Sequence, residues 1–269
     1  MRSVLGAVGR VLITLGLLLL LFVAYQLWGT GIYEARAQND LKHQFQQSLA
    51  RSRATTTTTA PAPTTTTTAD SPTVSTTLAP LAAPPEGDVV ARIFIPKIGV
   101  DKYVVEGVDV DDLRKGPGHY PSTQLPGHEG NSAIAGHRTT YGAPFGDLDQ
   151  VNPGDEITVV TVQGKFTYKV TEQKAVDPSE VSVLDPSLDP ARPGHQLATL
   201  TLTTCNPKYS ASQRLIVRAE LAPEQTPLPP ARVAEGKNAT TIGGLSGESS
   251  SRVPTIIWAL ITLVIGALW

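Results

Sequence analysis

Two uninterrupted threonine runs, Thr55–Thr59 and Thr64–Thr68, sit inside a Thr/Pro/Ala-rich tract that extends to about Pro85. Such a composition lacks the apolar residues needed to offset the entropy of ordering a chain, so it forms no packed core. The tract, taken as residues 54–85, reads as an extended stalk and cuts the chain in two. A second low-complexity stretch, Gly/Ser/Thr-rich over Glu235–Arg252, belongs to a linker predicted over 224–252. What remains for an independent domain is residues 86–223, about 140 residues, long enough for one hydrophobic core.

The flanks read differently. Val11–Trp28 carries no charge and follows Arg2 and Arg10. Its length approaches the ~20 residues that span a bilayer, and the basic residues place positions 1–10 in the cytoplasm. The competing reading is a cleaved signal peptide, with Ala35-Arg36-Ala37 as a small-residue cleavage site. A cleavable apolar core is only ~7–15 residues long, which favours a retained anchor over 11–28. On either reading the remainder is exported, so the domain is expected on the extracellular face of the cell membrane. Segment 29–53 is polar and helix-compatible, with Tyr33, Leu41, Phe45 and Leu49 near helical spacing. It reads as a juxtamembrane helix with nothing that suggests chemistry. Val253–Trp269 is apolar but short: a second span, an interfacial segment or a span cut short, of which the second span is favoured. Asn238-Ala239-Thr240 fits a glycosylation sequon, a match too short to weigh much. The formal net charge of −2 gives no reason to expect a nucleic-acid partner.

Within 86–223 the pattern is short β-type runs broken by Gly, Pro and Asp: Val89–Ile95, Val100–Val105, Ser132–Ala135, Glu156–Val162, Lys165–Val170, Ala198–Thr204 and Leu215–Ala219. Several alternate polar with apolar, and Gln163-Gly164 reads as a hairpin turn. Seven or so short strands with regular turns predict an all-β domain, an antiparallel sandwich or barrel. Helix is expected only in short pieces, at Val110–Arg114 and near Ala143–Asp149.

The chain has one cysteine, Cys205, at the end of the run in which Leu200 and Leu202 alternate with threonines. An exported chain with one cysteine forms no internal disulfide, so the thiol is either buried and inert or kept for reactivity. After Asn206-Pro207 and a short polar loop, Arg214 opens the next run. If these two strands pair antiparallel, thiol and guanidinium arrive at the same sheet edge. A reactive thiol needs its thiolate, and histidine is the usual partner. Of five histidines, His43 precedes the stalk, while His119 and His128 lie in turn-rich loops where solvated side chains are expected. His195 falls at the other end of the Cys-bearing strand. His137 follows the small residues of NSAIAG and ends a strand, where an imidazole can meet Cys205 and Arg214.

These motifs together, TLTTC with Arg214 in QRLIV and His137 in IAGHRTTYGAPF, resemble the sortase family of cysteine transpeptidases. The upstream IPKIGVD, VVEGV and GPGHYP are similar too, most of all to class E members of high-GC Gram-positive bacteria. The resemblance covers about Val89–Leu221. It implies a sortase-like closed β-barrel of about eight strands with short helices, behind an N-terminal transmembrane helix. It implies Cys205 as the nucleophile that cleaves an LPXTG- or LAXTG-type sorting signal between Thr and Gly through a thioacyl intermediate. His137 would serve as acid and base, and Arg214 would stabilise the oxyanion. No third acidic member is required, so Asp147 and Asp149 are read as loop or capping residues. Tyr120 in GPGHYP is either a determinant of Ala-for-Pro preference or an ordinary half-buried aromatic. Thr203 and Thr204 would line the groove or donate to the oxyanion. The partners implied are exported proteins bearing a C-terminal sorting signal, a peptidoglycan precursor or other envelope amine, and the membrane. No cofactor is implied, and no metal-ligand spacing is present. Two other readings stay open: a sorting-signal hydrolase, and a tethered binding module without catalysis.

Overall fold

In the computed structural model, residues 2–24, 29–58, 84–231 and Leu245 are described. The expected second membrane segment at 253–269, the Asn238 sequon and most of the stalk lie outside these residues.

Helix α1, Arg2–Ala24, is long and apolar enough to cross a bilayer. Leu12, Leu15, Leu18 and Leu20 are exposed among the described residues. Helix α2, Thr30–Thr58, runs on into the first threonine run and contains Ala35-Arg36-Ala37 within its N-terminal half. It is not set apart from the domain, as a juxtamembrane reading would have it. Leu41 and Phe45 are buried against Val89 and Val105 of the barrel, with Leu49 and Tyr103 alongside. The same face continues toward the N-terminus with polar residues at helical spacing. Gln38 exchanges hydrogen bonds with both the backbone N–H and the carbonyl of Tyr103, at 2.7 and 2.9 Å. Glu34 is buried and accepts from Lys102 Nζ at 2.7 Å. Because α2 precedes the Thr/Pro tract and is docked, the tract does not set the distance between α1 and the barrel.

Eight strands close a barrel in the order β1-β2-β3-β4-β7-β8-β6-β5. Their ranges are β1 Val89–Ile95, β2 Val100–Glu106, β3 Gly118–His119, β4 Gly130–Ala135, β5 Glu156–Thr161, β6 Gly164–Val176, β7 Ala198–Asn206 and β8 Gln213–Leu221. Seven of these match the sequence runs. β3 was not legible, since two residues carry no alternation. The two-residue β5–β6 turn is Val162-Gln163, one position earlier than expected, because Gly164 already pairs with Thr161. Helix appears as the single turn α3, Val110–Leu113, and as short 3-10 turns at Pro96–Ile98, Leu148–Gln150 and Val181–Leu184. The helix expected over Ala143–Asp149 reduces to the second of those turns.

The barrel is filled by alternate residues of every long strand: Ile93 and Ile95, Ile157 and Val159, Tyr168 and Val170, Leu200 and Leu202, Val217 and Ala219. Two pairings depart from the antiparallel expectation: β2 with β3, and β4 with β7, are parallel. The intervening β5–β6 hairpin supplies the long connection that a parallel pair needs. The domain also extends further than 223. Leu228 exchanges backbone hydrogen bonds with Gly127 and Glu129, His128 Nδ1 meets the Pro229 carbonyl, and Ala231 is buried, so 224–231 belongs to the barrel rather than to a linker.

Candidate active site

With Leu200 and Leu202 turned inward, the period of two turns Thr199, Thr201, Thr203 and Cys205 to the outer face of β7. In a barrel that face would meet water, but here the 3-10 turn Val181–Leu184 lies over it. Val183, Leu184 and Ile216 pack there with Ala133, Ala135 and Tyr120. Asn131 secures that cover. Its amide donates to the carbonyls of Val183 and Leu184 at 3.2 and 2.9 Å, and its oxygen accepts from the hydroxyls of Thr199 and Thr201 at 3.0 and 2.8 Å. The buried threonines thus have partners, as buried hydroxyls require.

Cys205 is the register partner of Arg214 across the antiparallel β7–β8 pair, so the two residues lie side by side at one edge, as expected. The parallel β4–β7 pair brings the histidine. Ala135 is level with Thr203 at the end of the ladder, and His137 follows two residues later, just past the strand. The junction is fixed by Gly136, whose N–H donates to the Thr203 carbonyl at 3.1 Å and whose carbonyl accepts from the Thr204 hydroxyl at 2.8 Å. A Cβ on Gly136 would lie 2.5 Å from the Phe145 ring, so glycine is needed immediately before the histidine. Arg138, 4% exposed, closes the link from the other side. Its Nη1 donates to the Cys205 carbonyl and to Asn206 Oδ1, both at 2.9 Å, and its Nη2 pairs with Asp149 at 2.9 Å.

His137 is mostly buried, and its Nε2 has no hydrogen-bond partner among the described residues. Burial, and after it the positive charge of Arg114, hold its pKa down to about 4. Asp149 is taken by Arg138 and Asp147 by Lys208, so neither serves the imidazole. Arg214 is buried. Its Nη1 donates to the carbonyls of Ala211 and Gln213, and its Nε to the carbonyl of Leu245 at 3.2 Å. The Leu245 N–H in turn donates to the Pro178 carbonyl, and its side chain is buried in the apolar patch of Val183 and Ile216.

Tyr120 is 1% exposed, not half-buried; its hydroxyl is 3.3 Å from Thr203 Oγ1, and burial raises its pKa. The opposing charges of Arg214 and Cys205 act on it more weakly. The Thr204 hydroxyl is committed to Gly136. His119 and His128 are buried rather than solvated. His119 Nδ1 meets Glu106 at 2.9 Å, because His119 lies in β3 paired with Glu106 of β2, and His128 Nε2 meets Gln163 at 2.8 Å from a loop that folds back on the barrel. His195 is at the far end of β7, on Glu129. Sequence reasoning missed Arg138, Arg114, Tyr141 and Asn131. Of these only Asn131, a polar residue at the start of an apolar run, carried any signal. A cavity of about 620 Å³ between the C-terminal half of α2 and Val89, Leu125 and Gln163 includes none of the residues named for catalysis.

The fold is thus a closed eight-stranded barrel with Cys205 and Arg214 paired across β7 and β8 and His137 just beyond the end of β4. The sortase domain model matches residues 93–222, and the chain belongs to the sortase family. It is 32% identical over 229 residues to sortase SrtE1 of Streptomyces coelicolor, covering 81% of this chain and 57% of that one. It is 27% identical over 227 residues to SrtE2 of the same organism, with 80% and 81% covered. Sortase D of Bacillus subtilis is 35% identical over 124 residues, 46% of this chain and 58% of that one. The chain spans a little over half the length of the first and last of these. A solved Clostridium perfringens sortase D5 transpeptidase superposes with a TM-score of 0.51 at 29% identity, covering 71% of this chain and 98% of that structure. The likeness to class E expected from the motifs is present in the two Streptomyces relatives.

Proposed function

We propose that this protein is a membrane-anchored cysteine transpeptidase that cleaves an LAXTG- or LPXTG-type sorting signal between Thr and Gly and transfers the new carboxyl end to an envelope amine. The observation that carries this reading is that Cys205 and Arg214 are register partners across β7 and β8, while His137 follows directly on β4, the parallel neighbour of β7.

The Cys205 thiolate attacks the threonine carbonyl carbon, and the carbonyl oxygen becomes an oxyanion. Arg214, fixed by two loop carbonyls, keeps a permanent charge beside it. Its Nε already holds one peptide carbonyl, that of Leu245, in the way a substrate carbonyl would be held. As the C–N bond breaks, His137 gives its proton to the glycine nitrogen, leaving a thioester on Cys205. The incoming amine then attacks the thioester and yields a proton to His137. The C–S bond breaks, and thiolate and imidazolium are regenerated. Nε2, with no partner, is available for both transfers. Helix α1 would hold the enzyme at the membrane with the barrel on the extracellular face, where sorting signals emerge.

The test uses the whole chain in detergent, with LAXTG and LPXTG peptides, with and without an amine. Mass spectrometry should find a thioacyl adduct on Cys205 and an amine-dependent ligated product, both absent in Cys205→Ala. An adduct that yields only the free acid would replace transfer by hydrolysis. No adduct with either peptide would overturn the substrate class and favour a binding module.

A further inference from the structure

The segment that follows His137 has an unusual backbone. Tyr141, Gly142 and Ala143 have φ of 49°, 70° and 42°, three successive residues in the left-handed region, two of them with a Cβ. That conformation is unfavourable for L side chains and persists only when the surroundings over-determine it. Local bonds account for part of this: the Ala143 N–H donates to the Thr140 carbonyl and the Phe145 N–H to the His137 carbonyl.

The rest comes from outside the barrel, from the first turn of α2. The Glu34 carboxylate lies so close to Gly142 that an added Cβ would be 2.6 Å from it, and Lys102 fixes that carboxylate in place. The ring of Tyr33 meets the ring of Tyr141 edge-on, centroids 6.4 Å apart at 78°. Tyr141 lies over His137, centroids 5.1 Å apart at 35°. The Arg114 guanidinium faces the Tyr141 ring at 5.9 Å. Tyr33, Tyr141 and His137 thus form one chain of ring contacts from α2 to the imidazole.

We propose that Tyr33 and Glu34 are positioning residues for catalysis: docked α2 presses the strained loop into place and so holds Tyr141 over His137. Neither touches substrate or the reacting atoms; both act through Tyr141 and Gly142. This gives an imidazole without a carboxylate partner another source of orientation and of shielding from water. Only residues 25–29 separate α1 from α2, a reach of roughly 20 Å, so the support arrives from the side of the apolar helix. A barrel cut away from its N-terminal helix lacks that support.

The inference rests on His137 as the proton-transfer group, and its test is built to fail separately from that reading. In the full chain, Tyr33→Ala, Tyr33→Phe and the parent protein are compared. The first readout is the pH dependence of kcat/KM for a sorting-signal peptide. The second is direct NMR titration of the His137 ring. Tyr33 is 50% exposed, so its removal should leave folding intact. Loosening Tyr141 lets water reach the ring. The acid limb, and the His137 titration with it, should therefore move up toward the ordinary histidine value, with the plateau about threefold to tenfold lower. Tyr33→Phe, which keeps the ring, should restore both. An unshifted titration in Tyr33→Ala overturns the proposal, whatever the activity. An inactive parent protein would instead count against the transpeptidase reading, and the ring titration would still decide this one.

Discussion

Acid should destabilise the domain through His137, by an amount the structure sets. In the fold, burial and the charge of Arg114 hold the ring at about 4 against an ordinary value of 6.5. In the unfolded chain the ring regains the ordinary value. Between about 6.5 and 4 the unfolded state therefore binds more protons, and stability falls as pH falls through that window. At about 1.4 kcal/mol per unit of pKa, the full interval corresponds to roughly 3 kcal/mol, present above pH ~6.5 and lost by pH ~4. The assay is urea unfolding of residues 29–231, which keep α2 on the barrel, for the natural sequence and for His137→Gln. Unfolding free energies taken from about pH 7.5 down to about 4.5 give two curves. Their difference removes the contribution of the carboxylates and the other histidines. The natural sequence should lose on the order of 2 kcal/mol more than the variant over that range. Parallel curves would refute the argument that the surroundings disfavour the imidazolium.

Four further outcomes are expected. Arg214→Lys should lose most thioacyl formation while the protein stays folded, since one ammonium cannot bond the carbonyls of Ala211, Gln213 and Leu245 and also an oxyanion; a mild effect in the peptide assay would make Arg214 structural. Asn131→Ala should cost about 2–4 kcal/mol in denaturant unfolding, because it strands two carbonyls and two hydroxyls and frees the turn over the outer face; a loss under about 1 kcal/mol would show that water replaces the amide. Leu245→Ala should lower KM for peptide about twofold or more, since the lost side chain fills the patch beside Ile216 and anchors the segment whose backbone carbonyl, kept by alanine, holds Arg214 Nε; an unchanged KM would place substrate elsewhere. Tyr120→Phe leaves the buried Thr203 hydroxyl without that partner, so stability should fall by about 1 kcal/mol while the LAXTG-to-LPXTG ratio narrows; an unchanged ratio would leave Tyr120 as packing.

The strands were legible because one face of each meets the barrel interior, which writes a period of two into the sequence. Leu200 and Leu202 against three threonines is the plainest case. The same alternation told which face Cys205 shares, and β7–β8 pairing followed from the short loop between them. What the sequence could not carry was the partner of each element across space. Nothing local to NSAIAG says that β4 runs parallel to β7, yet that pairing sets the chain just before His137 against the strand that carries Cys205. Helix α2 was misjudged for a related reason. Two of the residues on its buried face are Glu34 and Gln38, whose polarity reads as solvent exposure until Lys102 and the Tyr103 backbone are seen to satisfy them. His119 and His128 illustrate the same limit: one lies in a two-residue strand that carries no alternation and the other in a loop, and their partners Glu106 and Gln163 come from other elements.

The missing third member of the site is explained by where the nearest acid went. Asp149 pairs with Arg138, and Arg138 holds the Cys205 carbonyl, so that carboxylate supports the nucleophile strand instead of the imidazole. A carboxylate on His137 would make imidazolium common and a weak acid. Without one, and with Arg114 nearby, imidazolium is rare, on the order of one ring in a thousand at neutral pH, but it is a strong acid. The leaving group of peptide cleavage is an amine that departs only as it is protonated, so a stronger acid speeds that step while rarity slows it. For a proton donor these effects largely offset each other, because proton-transfer rates follow acidity with a slope below one. The remaining penalty falls on the population of the charged Cys205–His137 pair. On the proposed mechanism, a cation that serves the oxyanion does least harm to the imidazolium when it is far from the ring, and Arg214 lies across the strand pair from Cys205, on the side away from β4 and His137.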